Sequence, residues 1–374
     1  MRPDHDTTTY RHRRVTIMGL GSFGGGVGAV KFLVDRVAEV TVTDLRSPDH
    51  LREPLSELSD VSVARWRLGA HDDVDFTRAD LVVVNPAVQR SHPLLALFRQ
   101  RAIPLTSEMN LFWQHCRGAK VGVTGSNGKS TTTALLHALL QQTGRRCWLG
   151  GNIGRSLLPD VDQIAADDLV ILELSSFQLA DLDRLQVSPR VGIVTNFAPN
   201  HLDWHGSLDD YRAAKQTLLR WQTANDFAVL NARDADERAW PTSGHRLWIG
   251  LNDAAADGVG WNGSVAKARL GGVQQEWPLR VWLRLPGRHN LANALAASTA
   301  ALALGADREA IRRGLENYEP LPHRLQFVVA AAGIRFYNDS LATTPESTLV
   351  ALEAFDDPVV LIAGGYDKQV DLSK

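Results

Sequence analysis

The sequence predicts an α/β protein of three successive segments, each opening with a parallel-sheet pattern. Short, continuously apolar runs recur along the chain: Val15-Thr-Ile-Met18, Leu81-Val-Val-Val84, Leu169-Val-Ile-Leu172 and Val191-Gly-Ile-Val194. Such runs, alternating with helix-forming stretches, mark strands covered on both faces. Two apolar runs empty into glycine-rich turns that open helices, at Gly19-Leu-Gly-Ser-Phe-Gly24 and Gly125-Ser-Asn-Gly128. A chain of 374 residues is also long for one hydrophobic core.

The first segment, residues 1–110, holds strand 15–18, the first glycine turn and a helix through about Val37. Strand Val40-Thr-Val-Thr43 then ends in Asp44, and strand 81–84 runs into Asn85-Pro86. Residues 104–112 read as the link to the second segment, 111–322, which carries strands 169–172 and 191–194. Within it, Gly, Asp and Trp are scattered through short alternating runs at 252–282, the pattern of meandering β-structure. The third segment, 323–374, offers strand 334–337, a helix begun by Thr344-Pro345 and reaching Phe355, and strand 359–363 before Gly364-Gly365. Two strands and one helix cannot cover a sheet on both faces, so this segment is expected to be incomplete.

Composition narrows the function classes. Hydrophobic content of 44% and charged content of 22% are those of an ordinary soluble protein. A formal net charge of −2 argues against a nucleic-acid binder held by bulk electrostatics. Cys116 and Cys147 cannot build a disulfide framework, and no thiolate zinc spacing is present. Residues 1–14 are polar and basic without the apolar core of a secretory leader, and no apolar run approaches the roughly 20 residues of a membrane span. A cytoplasmic location is expected.

The chemistry concentrates at Val121-Gly-Val-Thr-Gly-Ser-Asn-Gly-Lys-Ser-Thr131. Gly125 and Gly128 let the backbone of Ser126 and Asn127 curl so that consecutive N–H groups face a phosphate. Lys129 supplies a point charge for the β and γ oxygens, and Ser130 offers a hydroxyl to Mg²⁺. Val123 stands where the usual pattern has its first glycine. Glu173 ends an apolar strand, where a carboxylate can hold Mg²⁺. His201 follows another strand end, in Asn196-Phe-Ala-Pro-Asn-His201. Lys215 lies on the apolar stripe formed by Leu208, Tyr211, Leu218 and Leu219 of a helix. Both a snorkelling stem and a reactive amine of lowered pKa fit that position. Gly19-x-Gly21-x-x-Gly24 with Asp44 has the form of a dinucleotide fingerprint, which also fits a bare strand-to-helix turn. Asn290 and Asn293 share one helix face, where amides can read an adenine edge.

Together these segments resemble the Mur ligases, in the right order over almost the whole chain. The resemblance rests on Gly125-Ser-Asn-Gly-Lys-Ser-Thr131, Gly150-Gly-Asn-Ile-Gly154, Glu173-Leu-Ser-Ser-Phe-Gln-Leu179 and Asn200-His-Leu-Asp203. It extends through Tyr211-Arg-Ala-Ala-Lys215, Gly287-Arg-His-Asn290, Leu321-Pro-His-Arg324 and Asn338-Asp-Ser340. The Glu-Leu-Ser-Ser-Phe-Gln string is similar to that of the glutamate-adding members. The resemblance implies a Rossmann-like N-terminal domain, a central phosphate-loop domain and a Rossmann-like C-terminal domain, in a monomer. It implies ATP-dependent ligation of glutamate to UDP-N-acetylmuramoyl-L-alanine through an acyl phosphate, in peptidoglycan precursor synthesis in the bacterial cytoplasm.

By that resemblance Lys129 holds the transferring phosphoryl group, and Ser130 and Glu173 hold one Mg²⁺. His201 and Lys215 serve a second Mg²⁺, with Lys215 carbamylated by CO₂. The UDP end of the acceptor falls to Gly21, Ser22, Phe23, Asp44, Arg46, Asn85 and Pro86, and its sugar-peptide end to Asn152, Ser175 and His201. Residues 125–131 with Asn293, Arg324 and Asp339 hold ATP, and Thr343 and Lys368 the incoming glutamate. The family's Asp-Ser-Lys-Ala-Thr-Asn becomes Asp339-Ser-Leu-Ala-Thr-Thr344, so Leu341 replaces the expected glutamate-site lysine. This leaves both D-glutamate and L-glutamate ligation open. A nicotinamide-dependent dehydrogenase and a non-catalytic UDP-sugar binder are the rival readings. The first leaves the phosphate loop and Lys215 unexplained, and the intact Lys129, Glu173, His201 and Lys215 speak against the second.

Overall fold

The computed structural model describes residues 7–21, 24–250, 256–342, 345–355 and 357–364. Its first sheet contains β1 (Arg14–Met18), β2 (Glu39–Asp44), β3 (Arg65–Leu68), β4 (Leu81–Val84) and β5 (Leu105–Thr106). All pairings are parallel and the order is β3-β2-β1-β4-β5. The chain winds outward in opposite directions on the two sides of β1, so a crevice opens at its carboxyl end, the usual ligand position in such sheets.

The second sheet is built from β6 (Ala119–Thr124), β7 (Cys147–Gly151), β8 (Leu169–Glu173), β9 (Val191–Val194) and β10 (Phe227–Asn231). It continues through β11 (His245–Ile249), β12 (Gly258–Trp261), β13 (Ala266–Leu270) and β14 (Val273–Trp277). The order is β14-β13-β12-β11-β10-β9-β6-β8-β7, with β13 and β14 antiparallel and the others parallel. The meander expected at 252–282 is thus β12 to β14 and helix Leu279–Trp282, with 251–255 outside the described residues. Strand β6 lies between β8 and β9, so the phosphate loop, Glu173 and Thr195 leave the sheet at one edge.

Two apolar layers sandwich this sheet. Helices Lys129–Gln141 and Arg288–Ala303 cover one face through Leu135, Leu139, Ala294 and Ala297, all buried. The opposite layer does not stop at the second sheet. Val15, Phe32 and Leu33 of the first segment join Leu158, Val170, Leu172 and Leu218 in one continuous core. Each such side chain contributes about 2 kcal/mol of burial. Polar contacts reinforce the seam: Arg36 Nη2 reaches Asp162 Oδ2 at 2.7 Å, and Tyr10 OH meets His115 Nε2 at 3.0 Å. The first two segments are therefore packed together through a common core, which holds one ligand edge fixed relative to the other.

The third segment departs from expectation. It contains an antiparallel pair, β15 (Gln326–Ala331) with β16 (Ile334–Asn338), and helix Pro345–Leu352. The expected strand at 359–363 is not formed, because its apolar run finds no partner strand among the described residues; Val360 is 90% and Ile362 91% exposed. Cys116 and Cys147 are free thiols, and no helix among the described residues is long and apolar enough to cross a membrane.

A buried acid gives the fold a measurable pH dependence. Glu237 is fully buried, accepts the Asn231 amide at 2.7 Å through Oε2, and leaves Oε1 unpartnered. Burial pushes its carboxyl up to about 8. The folded state therefore holds a proton that the unfolded state releases, so this group's stabilisation is present at low pH and is lost as pH rises through about 8. Glu237→Gln should match the parent in urea denaturation at pH 5 and exceed it at pH 9. A parent whose stability advantage grows with pH would contradict the assignment.

Candidate active site at the phosphate loop

The loop after β6 owes its path to two glycines. Gly125 has φ 153°, and a Cβ there would lie 1.9 Å from Thr195 Oγ1; Gly128 has φ 80°, and a Cβ there would lie 2.5 Å from Asn293 Oδ1. Gly128 is also the N-cap of helix Lys129–Gln141, so the positive end of that helix faces the loop. Neighbouring side chains fix the backbone. Ser126 Oγ donates to Ala198 O at 2.7 Å and lies 3.1 Å from Tyr211 OH. The Asn127 amide donates to Asn196 Oδ1 at 2.9 Å, and Asn196 Nδ2 returns a bond to Asn127 O at 2.9 Å. Thr131 is buried behind the loop, whereas Ser130 is half-buried at the helix start.

Two lysines converge on this loop. Lys129 Nζ donates to Gly125 O and Ser126 O, both at 3.0 Å. Lys215, only 1% exposed, donates to Gly125 O at 2.8 Å and to Thr124 Oγ1 at 3.3 Å, with Nζ 4.8 Å from the Tyr211 ring centre. The snorkelling alternative is thereby excluded, because the ammonium ends inside the protein. Burial pulls the Lys215 amine well below its ordinary range; Lys129 adds to that and Glu173 opposes it. Lys129 is lowered by burial in the same way, against the attraction of Glu173.

Glu173 supplies the carboxylate. It is 2% exposed at the end of β8, and Oε1 accepts from Asn152 Nδ2 at 2.8 Å while Oε2 is buried without a partner. An unpartnered buried carboxylate oxygen beside a phosphate loop is what a divalent cation requires, so the residues present fit Mg²⁺. Among the described residues no three His, Cys, Asp or Glu side chains cluster as a metal cage. Glu173 Oε2 alone is a partial donor set, of the kind that phosphate oxygens complete.

His201 stands in a left-handed conformation, φ 52°, as N-cap of the short helix Leu202–His205. Burial lowers its pKa, and the nearby charges of Lys129 and Lys215 lower it further. Ser175 caps helix Ser176–Leu182 in a capping box with Gln178. On the other side of the loop, a cavity of about 320 Å³ is lined by Asn127, Thr131, Asn293, Arg324 and Asp339. Arg324 Nε is buried there without a partner. Burial raises the Asp339 carboxyl, against the Leu325 amide that it accepts at 2.9 Å and against Arg324. Thr195, Asn196, Tyr211 and His289 escaped the sequence reading as site residues; only their adjacency to predicted strand ends and motifs could have pointed to them.

A second locus lies at the crevice of the first sheet. Asp44 accepts the Leu20 amide at 2.9 Å and the Gly21 amide at 3.4 Å, and is paired with Arg46 at 3.0 Å. Burial alone would raise the Asp44 carboxyl, but Arg46 outweighs it and holds the group below the usual carboxylate range. Asn85 Nδ2 donates to Gly19 O at 3.2 Å, with Pro86 following it. Gly21, Asp44, Arg46 and Asn85 are thus brought together. Ser22, Phe23, Thr343 and Lys368 lie outside the described residues.

This arrangement defines a phosphate-loop α/β protein of the nucleoside-triphosphate-binding kind, with a second crevice at the carboxyl edge of its first sheet. Residues 123–301 match the Mur ligase middle domain and residues 13–107 the Mur ligase MurD-like N-terminal domain. Similar proteins include the UDP-N-acetylmuramoylalanine–D-glutamate ligases of a Roseiflexus species, 39% identical over 96% of this chain and 79% of that one, and of Pelotomaculum thermopropionicum, 37% identical over 97% and 79%. The chain belongs to the Mur ligase family. Its fold also matches the solved UDP-N-acetylmuramate–alanine ligase of Thermotoga maritima, with a TM-score of 0.57 at 20% identity over 92% of this chain and 77% of that one.

The loop geometry makes a direct prediction. Gly128→Ala places a Cβ against Asn293 at an unfavourable φ, which should weaken ATP binding about tenfold or more by calorimetry. Unchanged affinity would show that the loop tolerates a different path.

Proposed function

We propose that this protein joins D-glutamate to the alanyl carboxylate of UDP-N-acetylmuramoyl-L-alanine, with ATP converted to ADP and phosphate. The observation that carries the proposal is the convergence of Lys129, Glu173 and Lys215, with His201 beside them, on one phosphate loop. The relatives' shared activity supports the substrate assignment. Leu341 stands where the family lysine is expected, yet the relatives' names favour the D-enantiomer over the L-glutamate alternative.

The chemistry proceeds in two balanced displacements. An alanyl carboxylate oxygen attacks the γ-phosphorus and the bond to the ADP oxygen breaks, giving an acyl phosphate. The glutamate nitrogen then attacks the carbonyl carbon, loses a proton, and phosphate leaves. Lys129 places its charge on the transferring phosphoryl group, and the loop amides orient it. Mg²⁺, when bound, offsets the repulsion between a carboxylate nucleophile and a triphosphate. Ser130 and Glu173 would hold one ion, and His201 with Lys215 would serve a second. The neutral Lys215 amine adds to the carbon of CO₂, the new N–C bond forming as the nitrogen loses a proton to solvent, and the carbamate so formed offers anionic oxygens where a lysine would otherwise bring a cation. Its depressed basicity supports this, because only the neutral amine adds to CO₂.

Asn293, Arg324 and Asp339 hold the nucleotide in the cavity, while the Gly21–Asp44–Arg46–Asn85–Pro86 locus takes the UDP end of the acceptor. Asn152, Ser175 and His201 face its sugar-peptide end, and Thr343 with Lys368 belongs to the glutamate site. Residues 1–110, 111–322 and 323–374 are the corresponding domains of a cytoplasmic monomer.

Phosphate release should require ATP, the acceptor and D-glutamate together, and L-glutamate should not replace the D-form. Equal turnover with L-glutamate would overturn the stereochemical assignment. Lys129→Ala should lose about a thousandfold in turnover and still bind the UDP acceptor. Retention of a tenth of the activity would remove Lys129 from its role. Lys215→Ala should be inactive and partly rescued by acetate; a fully active variant would contradict the carbamate.

A further inference from the structure

His201 keeps its left-handed backbone, φ 52°, at the start of a helix only four residues long. A non-glycine residue there is strained and persists only where its surroundings over-determine it. One helical turn cannot do so unaided, since nucleating a helix is itself unfavourable. The anchor lies at the other end of the turn. His205 is 8% exposed, its amide donates to His201 O at 3.0 Å, and its Nε2 is 2.9 Å from Ser176 Oγ. Its ring stacks on Phe177 with 8° between planes and 5.5 Å between centres, and meets Tyr211 edge-on at 5.3 Å. Phe177 in turn lies 5.1 Å from the His201 ring. One side chain therefore ties the turn bearing His201 to the helix that follows Glu173 and to the helix that carries Lys215.

The other ring nitrogen, Nδ1, is buried without a partner. Burying an unsatisfied polar atom is unfavourable, a cost that a phenylalanine would avoid. What the imidazole adds over a phenylalanine is the bond to Ser176.

We propose that His205 is a positioning residue that holds His201 toward the phosphate loop by pinning the 202–205 turn to Ser176 and Phe177. This rests on the reading of His201 as a ligand to metal and acceptor. The test compares His201→Ala, His205→Ala, His205→Phe and His205→Gln. Mn²⁺ binding is read by electron paramagnetic resonance with a non-hydrolysable ATP analogue, UDP-N-acetylmuramoyl-L-alanine binding by calorimetry, and metal-free ADP binding as the control. His205→Ala should weaken Mn²⁺ and acceptor binding about tenfold or more and leave ADP affinity within about twofold. His205→Phe, which keeps the stack and loses the bond, should fall between His205→Ala and the parent. His205→Gln, whose amide can reach Ser176, should recover part of the loss. Should the alanine variant melt below the assay temperature, the phenylalanine variant carries the same comparison. Parent-like Mn²⁺ and acceptor binding in the His205 variants, while His201→Ala loses both, overturns the proposal alone. Parent-like binding in His201→Ala overturns the reading of His201, and this proposal with it.

Discussion

A lysine side chain buried against a phosphate loop is the constraint from which the site follows. Lys215 reaches Gly125 O at 2.8 Å from a position with almost no solvent, and Lys129 reaches the same carbonyl at 3.0 Å. Two cations so placed repel each other, and Glu173 is the carboxylate that opposes the shift in both. The locus therefore favours anions, which a triphosphate and an acceptor carboxylate supply. Its second recourse is to neutralise one amine, and Lys215, the more deeply buried, is the one whose basicity is pulled well down.

The fold holds this locus still. Strand β6 sits between β8 and β9, so the phosphate loop, Glu173 and Thr195 leave one edge of the sheet together. The first sheet opens its own crevice at β1, where Asp44 is committed to the Leu20 and Gly21 amides and to Arg46. Because a single apolar layer runs from Phe32 to Leu218, the two edges keep a fixed separation. A long acceptor can then be gripped at one end and reacted at the other, with little orientation left to lose in the transition state.

Much of this was legible in the residues. Continuous apolar runs gave the buried strands because parallel sheets leave no polar face to record. The stripe around Lys215 put its stem on the core face but left a snorkelling ammonium and a buried amine both open, and only the fold decides for the buried one. The third segment was less legible. The run at 359–363 has strand composition, but a strand is defined by its partner, and composition carries no information on whether one is present. The contacts that orient the site were also hidden. Thr195 closing on Gly125, or His205 stacking on Phe177, joins residues tens of positions apart whose neighbourhood only the folded topology creates.

The central claim is that the buried Lys215 amine is converted to an anion that serves the reaction. Carbon-13 NMR of the protein equilibrated with labelled bicarbonate tests it most directly. The account predicts one carbamate resonance that disappears in Lys215→Met, a variant that also loses ligation. No such resonance in the parent, together with ligation at the parent rate by Lys215→Met, would contradict it.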